Sequence, residues 1–444
     1  MRWPDAVVWK SGFRLQVPSF RLQLGLVLVT NASRCNRKLN LKPGTTSPII
    51  LQVLPKLESG GVERGTIEIT AAIRQAGMVP LVASAGGSMV PHVTHAGGQH
   101  INLPLHRKNP LVIFQNARRL AKLIRERQIS LIHARSRAPA WAAYFAAKWT
   151  GIPLVTTFHG VYGLTGLGKK AYNRVMTYGA RVIAISQYVR EHLLEQYQLD
   201  PGRIRLIPRG VDFAVFGERH INSERLASLT RQWRLPDEHV PIIFCPGRIS
   251  RIKGQHVLIA ALAQLTDMDF LCIIAGKDEG HEDFRAELKA QIIASGLEGK
   301  VRLADATKAM NEAYQLSQLV VVSSSKPEAF GRIAIEAQAM GVAVVATDHG
   351  GARETIIPNE TGYLVPPEDP TAMAEAIRYA LTRDEATVRA MADFARRHVQ
   401  RHFTSDQMKE KTIAVYREVL QLNELQPSAD CPTEAEPLHA GTHA

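Results

Sequence analysis

Two glutamates, Glu328 and Glu336, stand eight positions apart in Pro327-Glu328-Ala329-Phe330-Gly331-Arg332-Ile333-Ala334-Ile335-Glu336. The segment follows the apolar run Val320-Val321-Val322 and leads into a helical run over 333–340. If Phe330 and Gly331 open that helix, their backbone N–H groups have no intrahelical partner and form a ready phosphate site. Glu328 then stands just ahead of the helix and Glu336 about one and a half turns inside it. One acid can reach a sugar and the other a nucleoside, with a diphosphate between them. Taken singly, Glu328 reads as well as a first-turn acid favoured by the helix dipole, and Glu336 as a solvated face residue.

Three further segments carry chemistry. Gly247-Arg248-Ile249-Ser250-Arg251-Ile252-Lys253-Gly254 follows a short apolar run, and its Arg248 and Lys253 are spaced to clamp a pyrophosphate. Cations there stabilise the charge of a departing nucleoside diphosphate; a solvated basic loop is the plainer reading. Gly60-Gly61, in Leu57-Glu58-Ser59-Gly60-Gly61-Val62-Glu63-Arg64, lets backbone approach a ligand, or simply makes a tight turn. It departs from the dinucleotide pattern GxGxxG. His159, in Thr157-Phe158-His159-Gly160, ends a strand-like run, where a histidine is either structural or directed into a cleft.

These segments sit at the ends of short apolar runs that alternate with helical ones, the mark of parallel sheets covered on both faces. The first series has strands at 49–54, 79–83, 129–133, 154–157 and 181–185, with helices at 63–75, 110–127, 139–149 and 171–178. The second has strands at 242–245, 270–275, 301–303, 319–323 and 342–346, with helices at 255–265 and 284–295. The polar stretch 213–238 between them reads as irregular linker, and 404–420 as an amphipathic helix. The expected fold is α/β, two doubly wound Rossmann-like domains facing across a cleft, where ligands of open α/β sheets bind. The expected boundaries are a basic, disordered extension 1–46, an N-terminal domain 47–215, a C-terminal domain 216–403, a helix 404–422 crossing back, and a disordered tail 423–444.

Length and composition agree with more than one domain: 444 residues, 45% hydrophobic, 21% charged. Four scattered cysteines without CxxC spacing suggest neither a zinc site nor a disulfide framework. The net charge of +13 favours anionic partners, nucleotide phosphates or an acidic membrane surface. Nucleic acid is disfavoured, because only 6% of residues are aromatic and no basic–aromatic module is present. Residues 1–46 read as a basic extension or as a membrane-contacting arm. The helix at 110–127 offers a second membrane surface. There Arg118, Arg119, Lys122, Arg125 and Arg127 lie close together, and Leu111, Phe114, Leu120 and Ile124 can form one apolar stripe, which in the plainer reading of a surface helix faces the domain core.

The segments, in this order, resemble the family 4 retaining glycosyltransferases, whose fold is called GT-B, over about residues 48–420. The resemblance implies that Glu328 contacts donor-sugar hydroxyls, Glu336 the ribose, and Arg248 and Lys253 the diphosphate. Phe330 and Gly331 lie at the phosphate-binding helix start. Gly60 and Gly61 fall near donor and acceptor, and His159 near the donor sugar. It implies no metal and no cofactor, the nucleotide-diphosphate sugar being a substrate, and a glycan or lipid-linked acceptor. Ile207-Pro208-Arg209-Gly210-Val211-Asp212 is similar to the family's pre-linker motif, with Arg209 where Asn is usual, and Ala304-Asp305 replaces a customary Gly. The wording around 58–64, 133–141 and 157–160 looks like bacterial lipopolysaccharide and envelope-glycan enzymes, which implies a cytoplasmic protein, peripheral on the inner face of the membrane. A GT-B nucleotide-sugar 2-epimerase is the alternative; the N-terminal series shows no paired carboxylates for its elimination chemistry.

Overall fold

Val-, Ile- and Leu-rich runs form thirteen strands among the described residues. In the first sheet these are β1 (Ile49–Val53), β2 (Val79–Ser84), β3 (Gln99–Asn102), β4 (Leu131–Ala134), β5 (Leu154–Phe158), β6 (Arg181–Ala184) and β7 (Ile204–Leu206). In the second they are β8 (Ile242–Pro246), β9 (Leu271–Ala275), β10 (Val301–Ala304), β11 (Leu319–Val322), β12 (Ala343–Thr347) and β13 (Tyr363–Val365). The helices are α1 (Gly61–Gln75), α2 (Val90–His95), α3 (Pro110–Arg127), α4 (Arg137–Thr150), α5 (Lys169–Asn173), α6 (Gln187–Tyr197), α7 (Ser223–Gln232) and α8 (Gln255–Leu262). They continue with α9 (Glu282–Ala294), α10 (Met310–Gln315), α11 (Arg332–Ala339), α12 (Ala352–Thr355), α13 (Pro370–Leu381), α14 (Glu385–His402) and α15 (Ser405–Val419). The computed structural model describes residues 47–58, 60–163, 168–217, 221–236 and 240–421; the expected extension 1–46 and tail 423–444 lie outside the described residues.

The strand orders are β3-β2-β1-β4-β5-β6-β7 and β10-β9-β8-β11-β12-β13. Both sheets are parallel, with pairings such as Leu51 opposite Leu81 and Val320 opposite Val344. In each, the order reverses beside the first strand, β1 or β8, and the loops at that switch point open a crevice. Gly60, at the head of α1, and the segment Gly247 to Gly254 lie there, so the topology alone puts the sequence's glycine and Arg/Lys motifs at the mouths of the two crevices.

Two expectations need correction. The stretch 213–238 is not wholly irregular, because it contains α7, started by Asn222 Oδ1 accepting from Arg225 N at 2.9 Å. Leu229 is that helix's buried residue, too thin a pattern to be seen as an apolar face. On α3, Leu120 and Ile124 are buried in the core whereas Leu111 is 73% and Phe114 44% exposed. Leu111 and Leu120 are nine positions apart, which at 100° per residue puts them on opposite faces.

The chain passes between the domains twice, and the two passages are tied together: Val211 N donates to Phe403 O and Ser405 N to Val211 O, both at 2.8 Å. Thr404 then starts α15 with a capping box. Met408, Ile413, Val415 and Tyr416 of α15 join Ile69 and Ile73 of α1 in one apolar cluster over the first sheet. Tyr416 OH lies 2.6 Å from His133 Nδ1, and His133 Nε2 lies 2.7 Å from Thr157 Oγ1.

Burial, with Arg135 and Arg209 nearby, holds His133 well below the ordinary imidazole range. Its folded pKa is thus depressed relative to the unfolded chain, which binds the extra proton below about pH 6.5. Stability is present above that pH and falls as pH drops below it. Thermal melts at about pH 8 and 5.5 are expected to show this loss, and Tyr416→Phe a further cost of about 1–3 kcal/mol at both. An equal melting temperature at the two pH values would show that His133 titrates normally.

Candidate active site

Glu328 sits in the loop between β11 and α11. Its Oε1 accepts from Lys253 Nζ and from Ser324 Oγ, each at 2.6 Å. Burial pushes this carboxyl up, but the Lys253 charge and hydrogen bond, with Ser324 and His349, outweigh it and leave it below the usual value. Glu328 is therefore ionised at neutral pH. Lys253 reaches it from a short 3-10 turn, Arg251–Lys253, ended by Gly254 at φ +66°. A Cβ on Gly254 would fall on Ser323 O, so only glycine lets the β8 loop lie this close to the end of β11. Arg248 is exposed at the same loop and has no ion-pair partner among the described residues.

Gly331, at φ 90° and ψ 55°, precedes α11, which starts at Arg332. Ala334 N donates to Gly331 O at 3.2 Å, which leaves the amides of Arg332 and Ile333 as the ones this helix start offers an anion. Phe330 contributes backbone only, since its ring is buried against Phe403 at 5.7 Å. Glu336 is no solvated face residue: it is 5% exposed, accepts from Tyr314 OH at 3.1 Å and pairs with Arg332 at 3.1 Å.

The N-terminal domain brings its motifs to the same place. A Cβ on Gly61 would lie 3.9 Å from Arg332 Cδ, and one on Gly160 would lie 4.0 Å from Ala329 Cβ. The glycine loop thus faces the start of α11, and the end of β5 faces the residue after Glu328. His159 has neither ring nitrogen hydrogen-bonded among the described residues. Burial, then the charges of Arg209 and Arg135, keep it well below the ordinary range, so it is a neutral imidazole. Arg209 Nη2 donates to Gly61 O at 2.5 Å and braces the glycine loop from behind. A cavity of about 490 Å³ opens between the domains, with Arg64, Glu68 and His92 on one wall and Lys308, Glu312 and Arg332 on the other. Pockets of this size take small organic ligands.

Sequence reasoning missed Ser324, Tyr314, Arg332 and Glu354. Ser324 and Arg332 adjoin recognised motifs, and Gly350-Gly351 was the readable sign of a close backbone approach near Glu354. The chain also has an Asp-x-Asp spacing, Asp267-Met268-Asp269, a common metal-binding form. It precedes β9, at the opposite end of the sheet from the cleft, and Arg378 holds Asp267 at 2.6 and 2.7 Å. Among the described residues no group of three or more His, Cys, Asp or Glu could hold a metal ion.

Two doubly wound domains that face each other across a cleft, with carboxylates, cations and a helix start converging in it, define the GT-B class. Residues 229–398 match the family described as glycosyl transferases group 1, and residues 59–215 match the one described as glycosyltransferase family 4. The chain belongs to the group 1 glycosyltransferases. It is 32% identical over 298 residues to a D-inositol 3-phosphate glycosyltransferase of Arthrobacter sp., covering 62% of this chain and 69% of that one. A solved glycosyltransferase from Rickettsia africae has 37% identity and a TM-score of 0.79, covering 85% of this chain and all (100%) of the other. HepE of Anabaena in complex with UDP-glucose shares the fold, at 23% identity and a TM-score of 0.73, covering 83% and 99%.

Proposed function

We propose that the protein is a retaining glycosyltransferase that moves a sugar from a nucleotide-diphosphate donor to a glycan or lipid-linked acceptor in cell-envelope polysaccharide synthesis, lipopolysaccharide included. The observation that carries this reading is Lys253 meeting Glu328 at 2.6 Å beside the open start of α11. One ammonium then serves both the sugar-side carboxylate and the departing diphosphate. Glu328 accepts from the donor-sugar hydroxyls. Arg248, Lys253 and the first amides of α11 take up the growing negative charge, where electrostatic help is largest, and no metal is required. Glu336 receives the ribose, and neutral His159 hydrogen-bonds the sugar from the other wall. A panel of nucleotide sugars, with the product's anomeric configuration read by NMR, tests the assignment; an inverted product or activity abolished by EDTA defeats it. Donor converted without acceptor would instead favour the epimerase.

The acceptor reading includes a cytoplasmic protein resting on the membrane. Among the described residues no helix is long and apolar enough to span a bilayer. What supports surface contact is Leu111 and Phe114 of α3 beside exposed Trp149, with Arg118 at 4.9 Å over the Phe114 ring. Arg119, Lys122, Arg125 and Lys148 are exposed around them. Each cation near anionic headgroups adds about 1 kcal/mol. Co-sedimentation is expected with anionic vesicles at low salt and not with neutral ones. Binding that is absent there, or unchanged at high salt, rejects it.

A further inference from the structure

A carboxylate outside the donor-binding set, Glu354, joins the two domains directly. Glu354 belongs to α12 in the C-terminal domain, yet its oxygens accept from Gln187 N and Tyr188 N, both at 2.7 Å, at the start of α6 in the N-terminal domain. Ser186 Oγ takes the next amide, Val189 N, at 3.0 Å. Three of the open amides at the head of α6 are thereby satisfied, two of them from across the domain boundary. A carboxylate at a helix N-terminus gains from both charge-assisted hydrogen bonds and the dipole. Holding two adjacent amides with two oxygens also fixes orientation as well as distance.

The other end of this contact reaches the catalytic loop. Gly350 and Gly351 lie flat on it: a Cβ at 350 would fall 2.4 Å from Glu328 O, and one at 351 would fall 2.3 Å from Phe330 Cα. Gly351 N donates to Glu328 O at 2.8 Å. Gln338 Nε2 of α11 donates to Thr355 O at 2.9 Å. The segment carrying Glu354 is therefore built into the backbone that presents Glu328 and opens α11, while its carboxylate grips α6. That helix follows β6, the strand beside β5, whose end carries His159.

We propose that Glu354 is a positioning residue for glycosyl transfer, setting how the N-terminal domain, with His159 and the glycine loop, sits over the Glu328 loop. It touches no substrate and acts through α6; the proposal rests on the transferase reading above. Burial pushes the Glu354 carboxyl up against the pull of the two amides, and Glu191 on α6 adds to the push. Arg353, its neighbour on α12, is held by Asp348 at 2.8 Å. The grip is thus lost as pH falls, sooner than for an ordinary glutamate.

The test compares the full chain with Glu354→Ala and Glu354→Gln in three measurements: transfer kinetics, calorimetry with nucleoside diphosphate, and ligand-free solution scattering. Glu354→Ala is expected to lower kcat about tenfold or more. Nucleoside diphosphate affinity is expected to stay within about twofold, since Arg248, Lys253 and Glu336 lie with Glu354 in the C-terminal domain and the substitution releases only its grip on α6 of the other domain. Scattering is expected to show the domains further apart. Glu354→Gln, which keeps one acceptor oxygen, is expected to fall between and to lose the acid limb that Glu354 adds to the pH–rate profile; it also serves if the alanine variant does not fold. Wild-type turnover in both variants overturns the proposal. So does nucleotide affinity falling in step with kcat, which would make Glu354 a brace of the C-terminal domain alone. If the wild type transfers no sugar from any donor, the transferase reading fails instead, and scattering decides this contact: profiles unchanged by both substitutions overturn it.

Discussion

Glu328→Gln is expected to lower turnover with the intact donor on the order of a hundredfold and to leave affinity for the free nucleoside diphosphate nearly unchanged. The amide keeps the shape of the side chain but not its charge. Lys253, now 2.6 Å from the carboxylate, would face a neutral partner, and the sugar hydroxyls would lose an ionic acceptor. Glu336→Gln should divide the damage the other way. Its carboxylate is buried against Tyr314 and Arg332, and loss of a charged hydrogen-bond acceptor there should weaken product binding by about 1.5–3 kcal/mol. Calorimetry with the product nucleotide beside steady-state kinetics separates the two roles. Equal damage from both substitutions in both measurements would show that the acids do not serve different parts of the donor.

Lys253→Ala and Arg248→Ala should each remove one charge-assisted contact, about 1.5–3 kcal/mol, or roughly ten- to a hundredfold. The loss should fall on kcat as well as on donor affinity if the departing diphosphate is stabilised in the transition state. The pH–rate profiles distinguish the two cations. Glu328 is held below its usual range against the upward push of burial chiefly by Lys253. Removing that ammonium leaves the push largely unopposed, so the acid limb of the Lys253→Ala profile should move to higher pH. Arg248 makes no described contact with Glu328, and its alanine variant should keep the limb in place. Unchanged kinetics in both variants would remove the phosphate assignment; an acid limb that stays put in Lys253→Ala would detach Lys253 from Glu328.

How much of this was readable in the sequence follows from burial. Runs such as Ile49 to Val53 and Leu319 to Val322 are covered on both faces and announce themselves as strands. The edge strand β3, Gln-His-Ile-Asn, is half exposed and carries no such signal. The site divides in the same way. Glu328, Glu336, Arg248, Lys253, Gly61 and His159 stand in local motifs, and the fold brings their segments to one cleft. The hydrogen bonds that hold them there join residues far apart in the chain. Lys253 is 75 positions from Glu328, and Tyr188 is 166 from Glu354. No spacing rule connects such pairs, because topology and not helical or strand period brings them together. On α3 too periodicity falls short: of the four apolar residues Leu111, Phe114, Leu120 and Ile124 the core claims only the last two.

The return of α15 to the first sheet has a consequence for synthesis. Residues are made in chain order, so β8 to β13 and their helices are complete before α15 appears. Ile69 and Ile73 are covered in part by Met408, Ile413 and Tyr416, which means the half of the molecule that is made first cannot close its own core first. On the ribosome the second sheet can finish folding while the first still shows an apolar strip. A chain truncated after residue 403, which keeps α13 and α14 on the second sheet but lacks α15, should therefore bind a holdase or yield to protease in its earlier half, while its later half resists.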